Sequence, residues 1–316
     1  MTQRFTMELR RLQRDCHDLC CSCARFFKVA ETAHSGYAND GSPLYVGDCC
    51  ASKLAETATR TYWQTRAFDI PEADSSLWRY MDFSKFVLLL KERALYFARA
   101  DHVGDKFEGA KGASTNRMVW DDYYLRFFRE SILNPPEGKR PNLSPEQVQG
   151  EAERLLKDME ASGYRQLRTT YLSCWHESET ESEAFWRLYC PPPSVGIAIH
   201  ASYGSLNQSL GDNPEIAIGR VRYIDFRKNF AGPNDAIFRK RHSLSHEREV
   251  RAVIHDEEGQ SGFGLHRTVD LNLLVHQVVI SPFASEWFEG LLRDTMLKFG
   301  VTIDIAPSEL MLEPFF

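Results

Sequence analysis

Between Arg168 and Ile305 the chain breaks into short runs that constrain its fold more than any other feature. They are Arg168–Cys174, Val195–His200, Ile216–Asp225, Glu247–His255, Val275–Ile280 and Val301–Ile305. They are rich in Val, Ile and Tyr and bounded by Gly, Pro, Asn or Asp, which is the pattern of strands. Such a chain must assemble a sheet from segments far apart in sequence. Upstream, Leu77–Met81 and Ala94–Ala98 read as strands, with Ser84 capping a helix over Lys85–Lys91 between them. Asp101–Thr115 is a Gly-rich loop, and Trp120–Ile132 reads as a helix. Asn134–Asn142 is a linker. Ser144-Pro-Glu-Gln then supplies a cap, a proline at the first helical position and a Gln three residues after the cap, opening a charged helix to about Ser162. Pro191–Pro193 excludes strand. Glu286–Phe299 is amphipathic and stops at Gly300. The class is therefore α+β, with a mixed or antiparallel sheet core and flanking helices.

The first 70 residues differ in texture. Phe5, Leu9, Leu12, Cys16, Leu19, Cys23 and Phe26 recur at spacings of three and four, one apolar stripe of a helix. A second helix is expected over Asp48–Arg66, with loop chemistry in His34–Gly47 between them. Residues 1–70 thus read as an N-terminal α-hairpin extension and residues 71–316 as the α+β domain, joined by a linker at Phe68–Ser76. Six of the eight cysteines precede residue 51. Cys20, Cys23, Cys49 and Cys50, with His17 and His34, raise the question of zinc, which takes four tetrahedral N or S ligands. The stripe favours Cys16 and Cys23 as small buried hydrophobes instead, and an adjacent Cys-Cys pair suits zinc poorly. Zinc is not expected.

Composition excludes several classes. The chain has 316 residues and a net charge of -6. Its longest aliphatic and aromatic run is Phe86–Leu90, far short of the roughly 20 apolar residues a membrane-spanning helix needs. Met1–Asp18 is Arg-rich with no apolar stretch of the secretory kind, so a cytoplasmic protein with reduced thiols is expected. No phosphate-binding glycine loop, dinucleotide fingerprint, zinc-protease helix or nucleophile elbow occurs.

Three polar clusters remain. Arg79 lies between Trp78 and Tyr80 on an expected strand; it is either an edge-strand Arg paired with a carboxylate or an anion clamp, since the guanidinium fork suits phosphate and carboxylate. Glu247, Glu249 and Arg251 share one face of a strand, while Val250, Ala252 and Ile254 face the core. The charged face reads as a solvent-facing ladder or as a site. Arg220–Arg251 holds nine basic against four acidic residues, net +5, leaving -11 for the rest. A positive island in an acidic chain suggests a phosphate-bearing or nucleotide ligand met by Arg239, Lys240, Arg241 and Arg251.

In order and spacing, several motifs resemble a bacterial family of unknown function, numbered twenty-nine seventy-one. They are Trp78-Arg-Tyr, Leu95-Tyr-Phe, Gly104-Asp-Lys-Phe-Glu108, Leu172-Ser-Cys-Trp, Phe185-Trp-Arg-Leu-Tyr, Gly196-Ile-Ala-Ile, Val221-Arg-Tyr-Ile-Asp, Phe238-Arg-Lys-Arg, Glu247-Arg-Glu-Val-Arg and Val279-Ile-Ser-Pro followed by Trp287-Phe. The resemblance spans about residues 76–310. That family's Asn-Asp-Pro-x-Glu has Gly104 and Lys106 here in place of Asn and Pro, with Asp105 and Glu108 retained. The order Arg79, Ser173, Glu247-x-Glu249 is also similar to that of Arg-Ser-Glu ADP-ribosyltransferases, although their Ser-Thr-Ser is replaced by Ser173-Cys-Trp.

The resemblance implies a defence- or toxin-associated effector that transfers ADP-ribose from NAD. Arg79 and Tyr80 would bind the cofactor and Ser173 its nicotinamide-ribose side. Glu249 would stabilise the oxocarbenium-like charge, and Glu247 would orient the acceptor. Two other classes stay open. One is a nucleic-acid-binding protein or nuclease, with Asp105, Glu108, Glu247 and Glu249 around a divalent metal. The other is a non-enzymatic sensor that docks a protein partner through residues 1–70.

Overall fold

The computed structural model describes residues 8–11, 32–37, 43–47, 68–134, 142–191, 195–211, 213, 215–232, 235–256 and 262–316. The chain divides into two compact units, Met1–Ile70 and Pro71–Phe316.

In the first unit the described residues form three strands, β1 (Glu8–Arg11), β2 (Thr32–Tyr37) and β3 (Pro43–Gly47), paired antiparallel in that order. This corrects the α-hairpin where it can be tested. β1 falls inside the expected first helix, and β2 and β3 pair inside the expected loop. Leu9, counted in the apolar stripe, instead lies opposite His34. Ladder hydrogen bonds to a distant segment outweighed a local period. The expected helix over Asp48–Arg66 and the N-terminal cysteines lie outside the described residues.

The second unit is α+β, with a mostly antiparallel open sheet and flanking helices. Its strands are β4 (Ser76–Asp82), β5 (Ala94–Arg99), β6 (Thr170–Glu177), β7 (Gly196–Ser202), β8 (Ile216–Arg220), β11 (Glu249–His255), β12 (Gly264–Thr268), β13 (Gln277–Ile280) and β14 (Ile305–Pro307). A separate parallel pair joins β9 (Arg222–Ile224) to β10 (Arg239–Arg241). The helices are α1 (Phe83–Glu92), α2 (Arg117–Leu133), α3 (Pro145–Thr169), α4 (Glu183–Tyr189), α5 (Tyr203–Ser209), α6 (Leu271–Leu274) and α7 (Phe288–Lys298). α3 opens on the expected capping box, Ser144 with Gln147, and runs to Thr169 rather than Ser162. The cap of α1 is Asp82, not Ser84; its carboxylate accepts from the Lys85 amide at 2.9 Å, where an anion also meets the positive end of the helix. The run expected as strand from Val301 begins only at Ile305.

One feature of the sheet positions everything that follows. β11 runs the length of one edge of β6, from His255 opposite Thr170 to Glu249 opposite His176. The other edge is shared. β5 takes its start, Leu172 and Tyr171, and β4 takes its end, His176 and Glu177. β4 and β5 therefore part between Ser173 and Trp175, and the sheet is split there. α1 connects the two diverging strands and buries Phe86, Leu89 and Leu90 against the main core.

Strand alternation sorts the side chains. Leu77 and Met81 join the main core with Tyr171, Trp175, Val250 and Ala252. Trp78 and Tyr80 join a second cluster with Phe185 and Trp186. Arg79 belongs to the same row as Leu77 and Met81, a row that would bury it, and only the split gives its head somewhere to go.

Candidate functional site

β4 is an interior strand, between β6 and β7, so the edge-strand reading of Arg79 is overturned. Its guanidinium lies at the split and donates to one group on each flanking element, Ser173 Oγ at 2.8 Å and the Tyr96 carbonyl at 3.0 Å. It also sits 5.7 Å from the centre of the Trp175 ring. Ser173 is fully buried; it holds Arg79 from below.

A cavity of about 920 Å³ opens at the split, within the size range of small-molecule and cofactor sites. Arg79, Tyr80, Lys240, Arg241, Glu247 and Glu249 all line it. Tyr80 contributes its ring edge-on to Trp186 at 4.9 Å, and its hydroxyl accepts from the Ser182 amide at 2.7 Å. Phe185 and Tyr189 of α4 and Tyr96 of β5 add aromatic wall.

The carboxylates are arranged unlike a solvent-facing ladder. Glu247 is not on the strand: it ends a 3-10 turn, His242–Glu247, and Arg248 follows in the left-handed region at φ 40°. For a residue with a Cβ that conformation costs about 1–2 kcal/mol, a strain that gathers at functional sites. The turn brings both carboxylates to one ammonium. Lys240 Nζ donates to Glu247 and, at 2.8 Å, to Glu249. Glu249 and Arg251 are buried, Arg251 completely, because the segments around Glu108 and Ala236–Phe238 cover this face of β11. Arg251 donates to Glu249 Oε1 at 2.6 Å, to Glu108 at 2.5 and 2.9 Å, and to the Ile237 carbonyl. The expected solvent-facing position of Glu249 is thus corrected. Arg251, expected at a ligand phosphate, has its donors taken up inside the protein.

Two further residues of the positive island are compensated in the same way. Arg239 pairs with Asp235 at 2.6 Å and Arg241 with Asp105 at 2.7 Å. Of the four residues expected at phosphate, Lys240 and Arg241 line the cavity, whereas Arg239 and Arg251 do not. The four carboxylates of the metal alternative, Asp105, Glu108, Glu247 and Glu249, each have a bound cation, which a divalent ion would have to displace.

The titrations follow from this packing. Burial raises the Glu249 carboxyl, but Arg251 and Lys240 outweigh it and hold it down at about 2. Burial lowers the Lys240 ammonium, yet Glu249 and Glu247 hold it above its ordinary value. Glu108 is raised, burial outweighing Arg251, and burial next to Glu249 pushes the Cys174 thiol up. A depressed carboxyl contributes stability above its unfolded value, near 4.5, that disappears as pH falls toward 2. Glu249 is expected to cost of the order of 3 kcal/mol of stability over that window, with Glu108 working in the opposite sense. Urea midpoints at pH 6 and pH 3 measure it, and equal midpoints would contradict a depressed Glu249.

His176 escaped sequence reasoning. It faces Glu249 across β6 and β11, lines the cavity and stacks on Phe185 at 4.1 Å. Its Nδ1 lies 2.7 Å from the Glu247 carbonyl. That oxygen only accepts, so Nδ1 carries the proton. Burial lowers the ring's pKa, leaving a neutral imidazole with its lone pair on Nε2. The only local signal was parity with Cys174; the partner is 71 residues away.

Among the described residues no group of three or more His, Cys, Asp or Glu is placed to hold a metal ion, and no helix is long and apolar enough to cross a membrane. No family model and no curated protein matches the chain, so membership of the numbered family is not shown. Among solved structures, DarT of Thermus sp. 2.9 in complex with ADP-ribosylated ssDNA matches at a TM-score of 0.34 and 8% identity, over 77% of this chain and 98% of that one. A likeness of that size assigns no activity.

Proposed function

We propose that the split cavity binds NAD and transfers its ADP-ribose, in the cytoplasm and in a defence- or toxin-associated role. One observation carries the reading: Arg79 and the Glu247–Lys240–Glu249 cluster, far apart in sequence, line one aromatic-walled cavity. Arg79 is pre-oriented by Ser173 and the Tyr96 carbonyl and offers its remaining donors to the dinucleotide's phosphate or ribose oxygens. The rings of Tyr80, Phe185 and Tyr189 give flat apolar walls for its bases.

The reaction breaks the bond between C1′ and the nicotinamide nitrogen. The bonding pair leaves with nicotinamide and positive charge develops at C1′. The packing favours Glu247 over Glu249 as the stabilising carboxylate. Glu249 is committed to Arg251 and Lys240 inside the protein, whereas Glu247 pairs with Lys240 among the described residues and is the more exposed of the two. Glu247 accepts from the ribose 2′-OH and Glu249 positions it through Lys240. The acceptor's nucleophile bonds to C1′ and gives up a proton, for which neutral His176, tied to the Glu247 carbonyl, is the base.

The test is release of nicotinamide from NAD by the full chain. Arg79→Gln is expected to raise KM for NAD by about tenfold or more, the loss of a charge-assisted contact, with a smaller change in kcat. Wild-type protein that neither binds ADP-ribose nor releases nicotinamide would overturn the proposal.

A further inference from the structure

The aromatic wall of the split cavity rests on a short helix. α4 has seven residues, and Ser182 gives it no side-chain cap. A helix that short is marginal by itself, so tertiary anchors must fix where it presents Phe185 and Tyr189 to the cavity. One anchor is Trp186, which is fully buried and meets Tyr80 edge-on at 4.9 Å. Its ring N–H, like that of any buried Trp, needs an acceptor.

That acceptor is Glu181. Trp186 Nε1 donates to Glu181 Oε2 at 2.6 Å. From 127 residues further along the chain, the Ser308 hydroxyl lies 2.8 Å from each carboxylate oxygen. The Leu310 amide donates to Oε1 at 3.3 Å. These donors are all neutral, and an ionised acceptor makes such bonds stronger than neutral ones. Ser308 is buried and follows β14, which its ladder to β13 fixes at the end of the sheet. The carboxylate thus ties α4 to an edge strand. The next residue works with it, since the Ser182 amide donates to the Tyr80 hydroxyl at 2.7 Å.

We propose that Glu181 is a positioning residue for the split cavity. Its carboxylate holds Trp186 against Tyr80 and so sets the spacing of Tyr80 and Phe185, whose rings lie 5.4 Å apart. Ser308 in turn holds Glu181, and the order of the wall depends on the segment after β14. The effect on binding rests on reading the cavity as the dinucleotide site; the anchoring does not. His176 is held independently, by the Glu247 carbonyl. Glu181 therefore acts on binding and not on the chemical step: a wall that meets the ligand equally in ground and transition states changes KM and leaves kcat.

The test compares full-length wild type with Glu181→Ala, Glu181→Gln and Ser308→Ala. Hydrogen exchange of the α4 amides is expected to quicken by about tenfold or more in Glu181→Ala. The gain is smaller in Glu181→Gln, whose amide still accepts from Trp186 and can donate to Ser308. Calorimetric affinity for ADP-ribose is expected to fall by about tenfold in Glu181→Ala, the loss of bonds to a charged group. KM for NAD rises with it while kcat stays within about twofold. Adding Ser308→Ala to Glu181→Ala is expected to change affinity no further, because the two residues act in one chain. Leu292→Ala, in the buried face of α7, lowers the melting temperature and is expected to leave affinity unchanged. Should Glu181→Ala fail to fold, Ser308→Ala and Glu181→Gln give the same readouts in smaller measure.

Unchanged α4 exchange across these variants would overturn the anchor. Unchanged ADP-ribose affinity beside a loosened α4, or an equal loss in Leu292→Ala, would overturn the positioning role alone. A wild type that binds no ADP-ribose sinks the transferase reading alone, and α4 exchange then decides the anchor.

Discussion

Arg251→Met is expected to unfold at markedly lower urea than the wild type, with a loss of about 3–5 kcal/mol, the usual result of removing one partner from a buried ion cluster. Arg251 is completely buried, and its guanidinium serves both Glu108 and Glu249. Methionine keeps much of the volume but leaves those two carboxylates with Lys240 as the remaining cation of the cluster. Burial already raises Glu108, so it would take up a proton, and the stability of the variant should improve as pH is lowered toward 5. Arg251→Lys restores the charge but not the fork that reaches two carboxylates at once, and recovers only part of the loss. A loss under about 1 kcal/mol for Arg251→Met would show that the cluster is not structural.

The second large effect separates the two glutamates. Glu247→Gln is expected to slow nicotinamide release by about 10²–10³-fold, the scale of one preorganised electrostatic contact to a transition state. Its melting temperature should stay close to that of the wild type, since this carboxylate is partly exposed and has one ionic partner among the described residues. Glu249→Gln behaves differently. It removes a charge facing Arg251 and Lys240 at once and is expected to cost about 3 kcal/mol or more of stability before any effect on turnover is read. Equal turnover in Glu247→Gln and wild type would remove the carboxylate from the proposed chemistry. A fully stable Glu249→Gln would contradict its place in the buried network.

Local rules located most elements. The Ser144 box, the stop at Gly300 and the Val- and Ile-rich runs are decided by neighbours a few residues away. The rules failed where distant partners decided. The stripe around Leu9 has helical spacing, yet Glu8–Arg11 pairs with Thr32–Ser35. Ser84 had the chemistry of a cap, but Asp82 stood closer to the end of the strand. Glu249 had the alternation of a surface position; the strand period shows which residues share a face, not what covers that face.

By itself the sequence determined the α+β class and the inward row Val250, Ala252 and Ile254, and it singled out an Arg between two aromatics on a strand. Period and composition act within one segment, so those conclusions needed no contacts. The parting of β4 from β5, the burial of Glu249 and Arg251, the seat of His176 beside Glu247 and the tie between Glu181 and Ser308 were decided only by tertiary structure. Each depends on hydrogen bonds and ion pairs between segments separated by tens to more than a hundred residues, and no local pattern records which distant segment arrives.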